Sequence, residues 1–134
     1  MKPCNGALAD ILIAMDNASH AAARPNHARL LAVSKTRSPD EIAALAEAGQ
    51  QAFGENYVQE ALPKIDVLHG LGLEWHLIGH LQSNKADLAA RAFDWVQSVD
   101  RPKLVAALAR HRPVDLPPLN VLLQVNIDDE TSKH

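Results

Sequence analysis

One cysteine, Cys4, stands in 134 residues, so an internal disulfide is excluded and a reducing compartment is expected. Its place near the terminus makes it a bystander rather than a nucleophile. Aromatic residues are only 4% of the chain, too few to build a base-stacking platform. A formal net charge of −3 leaves no electrostatic footprint for nucleic acid or for an anionic membrane. Long apolar runs are missing too. The opening MKPCNGALADILIAM is broken by Asp10 and closed by Asp16, so it reads as neither signal peptide nor membrane span. No glycine-rich fingerprint follows the first strand, which argues against a nucleotide site. The cytoplasm is the expected location.

What the chain does have is 47% hydrophobic content, enough for one domain, residues 1–134, with a real core. Ala7, Leu8, Ile11, Leu12 and Met15 recur at helical spacing, so an N-terminal helix is expected within residues 1–25, closed by Pro25. From 30 to 127 strands and helices alternate in five βα units. The expected strands are Leu30–Val33, Gln51–Glu55, Leu73–Gly79, Trp95–Val99 and Leu119–Ile127. Ser38-Pro39-Asp40-Glu41 is a capping box with proline at the first helical position, and Gly49 ends that helix. Pro63 lies inside the next helix and is expected to kink or split it. Another helix begins near Ser83-Asn84, and Asp100 with Pro102 starts the last, Asp100 as its cap. Residues 128–134 read as a loop. Alternating elements with buried-looking strands predict a parallel sheet in an α/β fold.

Each expected strand ends on polar side chains: Ser34 and Lys35, Glu55 and Asn56, His80, Ser98 and Asp100, and Asn126. In a parallel sheet these ends share one rim, where α/β folds gather their chemistry. Lys35 follows the apolar run Leu30-Leu31-Ala32-Val33. An unperturbed lysine is a free amine in only about one molecule in 2,500 at pH 7. Burial against Val33 would lower its pKa and make it a nucleophile toward aldehydes, whereas a solvated lysine in a loop would do nothing of the kind. His76 and His80 have the spacing of helical zinc ligands, but LEWHLIGH reads as strand, which separates them by ~13 Å. No metal site is expected from them. The acidic tail Asp128-Asp129-Glu130 reads as a solvated loop.

Longer stretches carry more information than these positions. LLAVSKT, FGENYVQE, EWHLIGHLQSNK, VQSVD and VNIDDETSKH occur in that order. Together they make the chain, from about Leu30 to His134, similar to the pyridoxal 5′-phosphate homeostasis proteins, also called the proline synthase co-transcribed family. The resemblance implies a (β/α)₈ barrel like the N-terminal domain of alanine racemase, without that enzyme's second domain. It implies that Lys35, in AVSKT, holds pyridoxal 5′-phosphate as a Schiff base, and that Asn56, in FGEN, contacts the cofactor. His80 matches the histidine of WHLIGH, and Lys133 a second lysine, in the SK motif, implicated in cofactor handling. The family binds its cofactor without an established catalytic reaction, so the chain is not expected to be an enzyme. The complete protein is expected to be a monomer whose partner is a small-molecule cofactor.

Such a barrel takes ~250 residues, so the resemblance predicts five of eight βα units, with the phosphate site outside the sequence. A fragment of that kind is expected to self-associate. The alternative at this length is a five-stranded, doubly wound flavodoxin-like sheet, which would have a finished core. The half-barrel predicts two open edges and uncovered apolar surface instead. Two other functions compete with cofactor holding. A racemase-like enzyme would need a second base opposite Lys35, which the lone Tyr57 does not match. An inert fragment would need none of these residues.

Overall fold

A computed structural model of the chain describes residues 2–24 and 27–127. An N-terminal helix, α1 (Lys2–Ala21), precedes four strand-then-helix pairs and a last strand. These are β1 (Ala32–Val33), α2 (Pro39–Glu47), β2 (Ala52–Glu55), α3 (Val58–Val67), β3 (Glu74–Leu77), α4 (Ala86–Ala92), β4 (Trp95–Val99), α5 (Pro102–His111) and β5 (Asn120–Leu123). All four strand pairings are parallel, and the sheet order is β1-β2-β3-β4-β5.

That order separates the two folds left open above. A flavodoxin-like sheet reverses direction and places its first strand between the second and third. Here every crossover moves one strand onward in the same sense, which is the winding of a (β/α)₈ barrel. Five units of it leave β1 and β5 as edges.

Local chemistry accounts for the helix starts. Ser38 caps α2 as the spacing predicts: its hydroxyl accepts from the Glu41 N–H at 3.1 Å, and the Glu41 carboxylate accepts from the Ser38 N–H at 3.0 Å. That backbone hydrogen bond holds the Glu41 carboxyl below its ordinary pKa. Gly49 follows the helix at φ +114°, a conformation that favours glycine. A 3₁₀ turn at Ser83–Lys85 leads into α4.

The core lies between one face of the sheet and the helices. Phe53, Trp75, Leu77 and Val96 meet Ile42, Ala61, Ala89, Leu104 and Leu108 there, all buried. On the other face Gly54 packs against Leu31 and Ile78, and His76 stacks on Trp95 at a ring separation of 5.4 Å.

Several expectations are corrected. α3 runs unbroken through Pro63, whose missing N–H lies on the exposed side, so the helix is not split. α1 stops at Ala21, before Pro25, where Ala23 takes a left-handed backbone at φ 54°. Its apolar stripe is mostly uncovered: Leu8 is buried, but Ile11 and Leu12 are exposed. Asp100 is not the cap of α5. Arg101 occupies that position, and the Asp100 carboxylate accepts from the Arg101 guanidinium instead. The reading of β1 and β5 as buried strands gives way to the open, uncovered edges that the half-barrel implies: Val33 is 52% exposed, and every residue of β5 is exposed, because an edge strand has a neighbour on one side only.

Candidate functional site

The parallel register brings the strand ends to one rim. Val33 pairs with Gly54, and Gly54 with His76, so Lys35, Asn56 and the Gly79-His80 segment follow on three adjacent strands. Gly79 is required by this packing: a Cβ there would fall 2.2 Å from the Asn56 carbonyl oxygen. The two chain segments therefore touch through backbone. Asn56 is half-buried, while Lys35 and His80 are exposed.

Val33, which ends β1, is itself exposed. What the structure shows at Lys35 is a fixed backbone. Ser34 to Arg37 form a turn, closed by the Arg37 N–H donating to the Ser34 carbonyl at 3.0 Å. Lys35 is its second residue, and Thr36, its third, has φ 63°. Glycine or asparagine normally fills that place, and a β-branched residue there is strained.

Beneath the turn is a buried ionic cluster. The Lys64 Nζ donates to Glu55 Oε2 at 3.0 Å, to Glu60 Oε2 at 3.0 Å and to the Ser34 carbonyl at 3.0 Å. Ser34 Oγ donates to Glu55 Oε2 at 2.5 Å, and the Thr36 N–H donates to Glu60 Oε2 at 2.6 Å. Glu55 is fully buried and Lys64 nearly so. A buried carboxylate needs a paired charge and further hydrogen bonds, and this one has both. The Thr36 N–H, followed by Lys64, holds the Glu60 carboxyl below its ordinary pKa.

The strand-end residues thus divide into two groups. Ser34, Glu55 and Ser98 are buried and structural, with Ser98 Oγ donating to the Gly79 carbonyl at 2.6 Å. Lys35, Asn56 and His80 stay at the rim. Arg101 ties the loop after β3 to the start of α5 by donating to the Leu81 carbonyl at 2.7 Å. Asn126 lies beyond β5 and is exposed, and Lys133 lies outside the described residues.

Lys64 and Glu60 were not singled out by the sequence. Their signal was a Glu-to-Lys pair four residues apart on a helix, which usually marks a solvated face. Among the described residues no group of three or more His, Cys, Asp or Glu could hold a metal, and no helix is long and apolar enough to cross a membrane. His76 is engaged elsewhere: its Nε2 donates to Glu74 at 2.8 Å and its Nδ1 accepts from Gln97 at 2.9 Å.

The donor set fits the aldehyde end of a pyridoxal cofactor: a solvent-reached primary amine on a fixed turn, beside an asparagine amide. Two arginines near the rim are already engaged, Arg37 with Glu41 and Arg101 with Asp100 and Leu81.

Residues 14–131 match the family model described as alanine racemase, N-terminal domain. The pyridoxal phosphate homeostasis protein of Escherichia coli (strain K12) is 52% identical over 125 residues, covering 88% of this chain and 53% of that protein. That of Haemophilus influenzae is 54% identical over 110 residues, covering 81% and 46%. The chain spans about half the length of the curated relatives it matches. Among solved structures, PipY of Synechococcus elongatus PCC7942 with PLP bound aligns at a TM-score of 0.62 and 46% identity, over 70% of this chain and 45% of that one.

Proposed function

From the premise that this chain belongs to the alanine racemase N-terminal domain family, we propose that it is the cofactor-holding part of a pyridoxal phosphate homeostasis protein. In this reading it contributes the first five units of a longer barrel in the cytoplasm, and it stores cofactor rather than turning over a substrate. The complete protein is read as a monomer.

The observation that carries the reading is Lys35 at the C-terminal rim of a parallel sheet, on a turn fixed from below, with Asn56 on the next strand. When bound, pyridoxal 5′-phosphate would supply an aldehyde as electrophile, and Lys35, through its amine, would be the residue that holds it. The chain's own residues orient that amine. Ser34 and Thr36 hold the backbone on either side, and the Asn56 amide offers a donor and an acceptor to the ring's polar edge. His80 and Lys133 are assigned secondary contacts with the cofactor.

Borohydride reduction in the presence of pyridoxal 5′-phosphate, followed by peptide mass mapping, tests the assignment. The pyridoxyl label should concentrate on Lys35, and Lys35→Ala should remove the cofactor's visible band. A label on Lys133 alone, or spread evenly over Lys85 and Lys103, would overturn it.

A further inference from the structure

The peptide groups on the two sides of Lys35 are both bonded to one ionic cluster. The carbonyl of the Ser34–Lys35 peptide accepts from Lys64 at 3.0 Å, and the N–H of the Lys35–Thr36 peptide donates to Glu60 at 2.6 Å. Lys64 also holds Glu60, at 3.0 Å, so one cation governs both contacts. Fixing the peptide plane on each side of a Cα fixes its φ and ψ, and with them the direction of its Cα–Cβ bond, from which the side chain sets out.

The strain sits at the same place. Thr36 at φ 63° occupies a conformation that β-branched residues avoid. Such a residue persists only where its surroundings over-determine it. Its one N–H is held by a carboxylate, in a charge-assisted bond stronger than an ordinary one. Glu60 is also the partly exposed member of the cluster, at 30%, whereas Glu55 is fully buried and anchored by Ser34. Glu55 and Lys64 form the foundation; Glu60 is the part that reaches the turn.

We propose that Glu60, held in place by Lys64, is a positioning residue that aims Lys35 at the rim by locking the strained turn at Thr36. This rests on the reading of Lys35 as the aldehyde-binding amine. Glu60 acts through backbone and touches no cofactor. If the lock is lost, the turn relaxes and the Cα–Cβ bond of Lys35 no longer has one direction.

The test compares pyridoxyl labelling of Lys35 with that of exposed Lys103 in the same chain, after brief treatment with pyridoxal 5′-phosphate and borohydride. Unfolding midpoints and Thr36 amide exchange are measured alongside. Glu60→Ala should lower the Lys35-to-Lys103 labelling ratio about tenfold, the equivalent of one charged hydrogen bond. Glu60→Gln keeps an acceptor for the Thr36 N–H and should recover most of the ratio. Thr36→Gly, which removes the strain, should leave the ratio within about twofold when Glu60 is present. In the Glu60→Ala background it should lower the ratio further, because glycine widens the choice of turns.

A Glu60→Ala chain that loses stability but keeps the labelling ratio would assign Glu60 a purely structural role and overturn the proposal, leaving Lys35 as the reactive amine. A wild-type ratio near one would overturn the reading of Lys35 itself, and the positioning role with it.

Discussion

At the scale of single residues, the rim depends on groups that make no contact with its opening. Gly79 is one. Any side chain there meets the Asn56 carbonyl at 2.2 Å, and backbone cannot step aside as the end of a side chain can. Gly79→Ala should destabilise the chain by about 1–3 kcal/mol, read as a lower urea midpoint at fixed protein concentration. It should also reduce labelling of Lys35, since the end of β2 moves. Glu60 is another, and its sign with pH is defined. Its carboxyl is lowered in the folded chain by the Thr36 N–H and Lys64. The stabilisation is therefore complete above the unfolded carboxyl pKa, near 4.3, and is lost as pH falls through the lower folded value. Protection of the Thr36 amide against exchange should collapse in acid and stay level through neutral pH. Loss on the alkaline side would count against Glu60 as the group responsible.

At the scale of elements, the sequence was most legible where local chemistry decides. The capping box at Ser38, the stop at Gly49 and the bounds of β4 are all set by residues within a few positions of one another, and all three were readable. Pro63 misled because its cost depends on whether that turn of α3 faces the core, which is a tertiary fact. Lys64 went unnoticed for the same reason. Its neighbour in sequence, Pro63, is exposed, whereas Lys64 turns inward to a carboxylate on β2. The exposure of β1 and β5 was unreadable strand by strand, because an apolar run states what a strand would bury and not whether anything covers it. β5 makes the point directly. Leu123 and Val125, 71% and 70% exposed, border a groove of about 500 Å³ with Val105 of α5. Uncovered apolar surface of that kind drives association. The double variant Leu123→Lys, Val125→Lys should shift the chain toward monomer in sedimentation at little cost in stability. Unchanged association would place its cause in the open backbone edges.

At the scale of the whole molecule, the proposed reading gives the cofactor's aldehyde a partner in Lys35 but assigns its phosphate no anchor among the described residues. Arg37 and Arg101 are engaged by carboxylates, and the chain spans about half the length of its relatives. Hydrogen bonds to a charged group contribute ~1.5–3 kcal/mol each. Two or three of them are worth on the order of 5 kcal/mol, or several thousandfold in affinity. Titration of this chain with pyridoxal 5′-phosphate and with phosphate-free pyridoxal should therefore give nearly equal affinities. A strong preference for the phosphorylated form would reveal an anchor within these residues.

The nearest-neighbour order of the sheet also governs how the molecule is made. Among these five, each strand pairs with the one synthesised just before it, so none of the four pairings waits on the ribosome for a distant partner. Emerging units can dock one at a time, and the charge cluster under Lys35 closes as soon as α3 has left the exit tunnel, since Ser34, Glu55, Glu60 and Lys64 all lie within 31 consecutive residues. On the reading of Lys35 as the cofactor amine, its turn would then be held early in translation, before β4 and β5 have emerged.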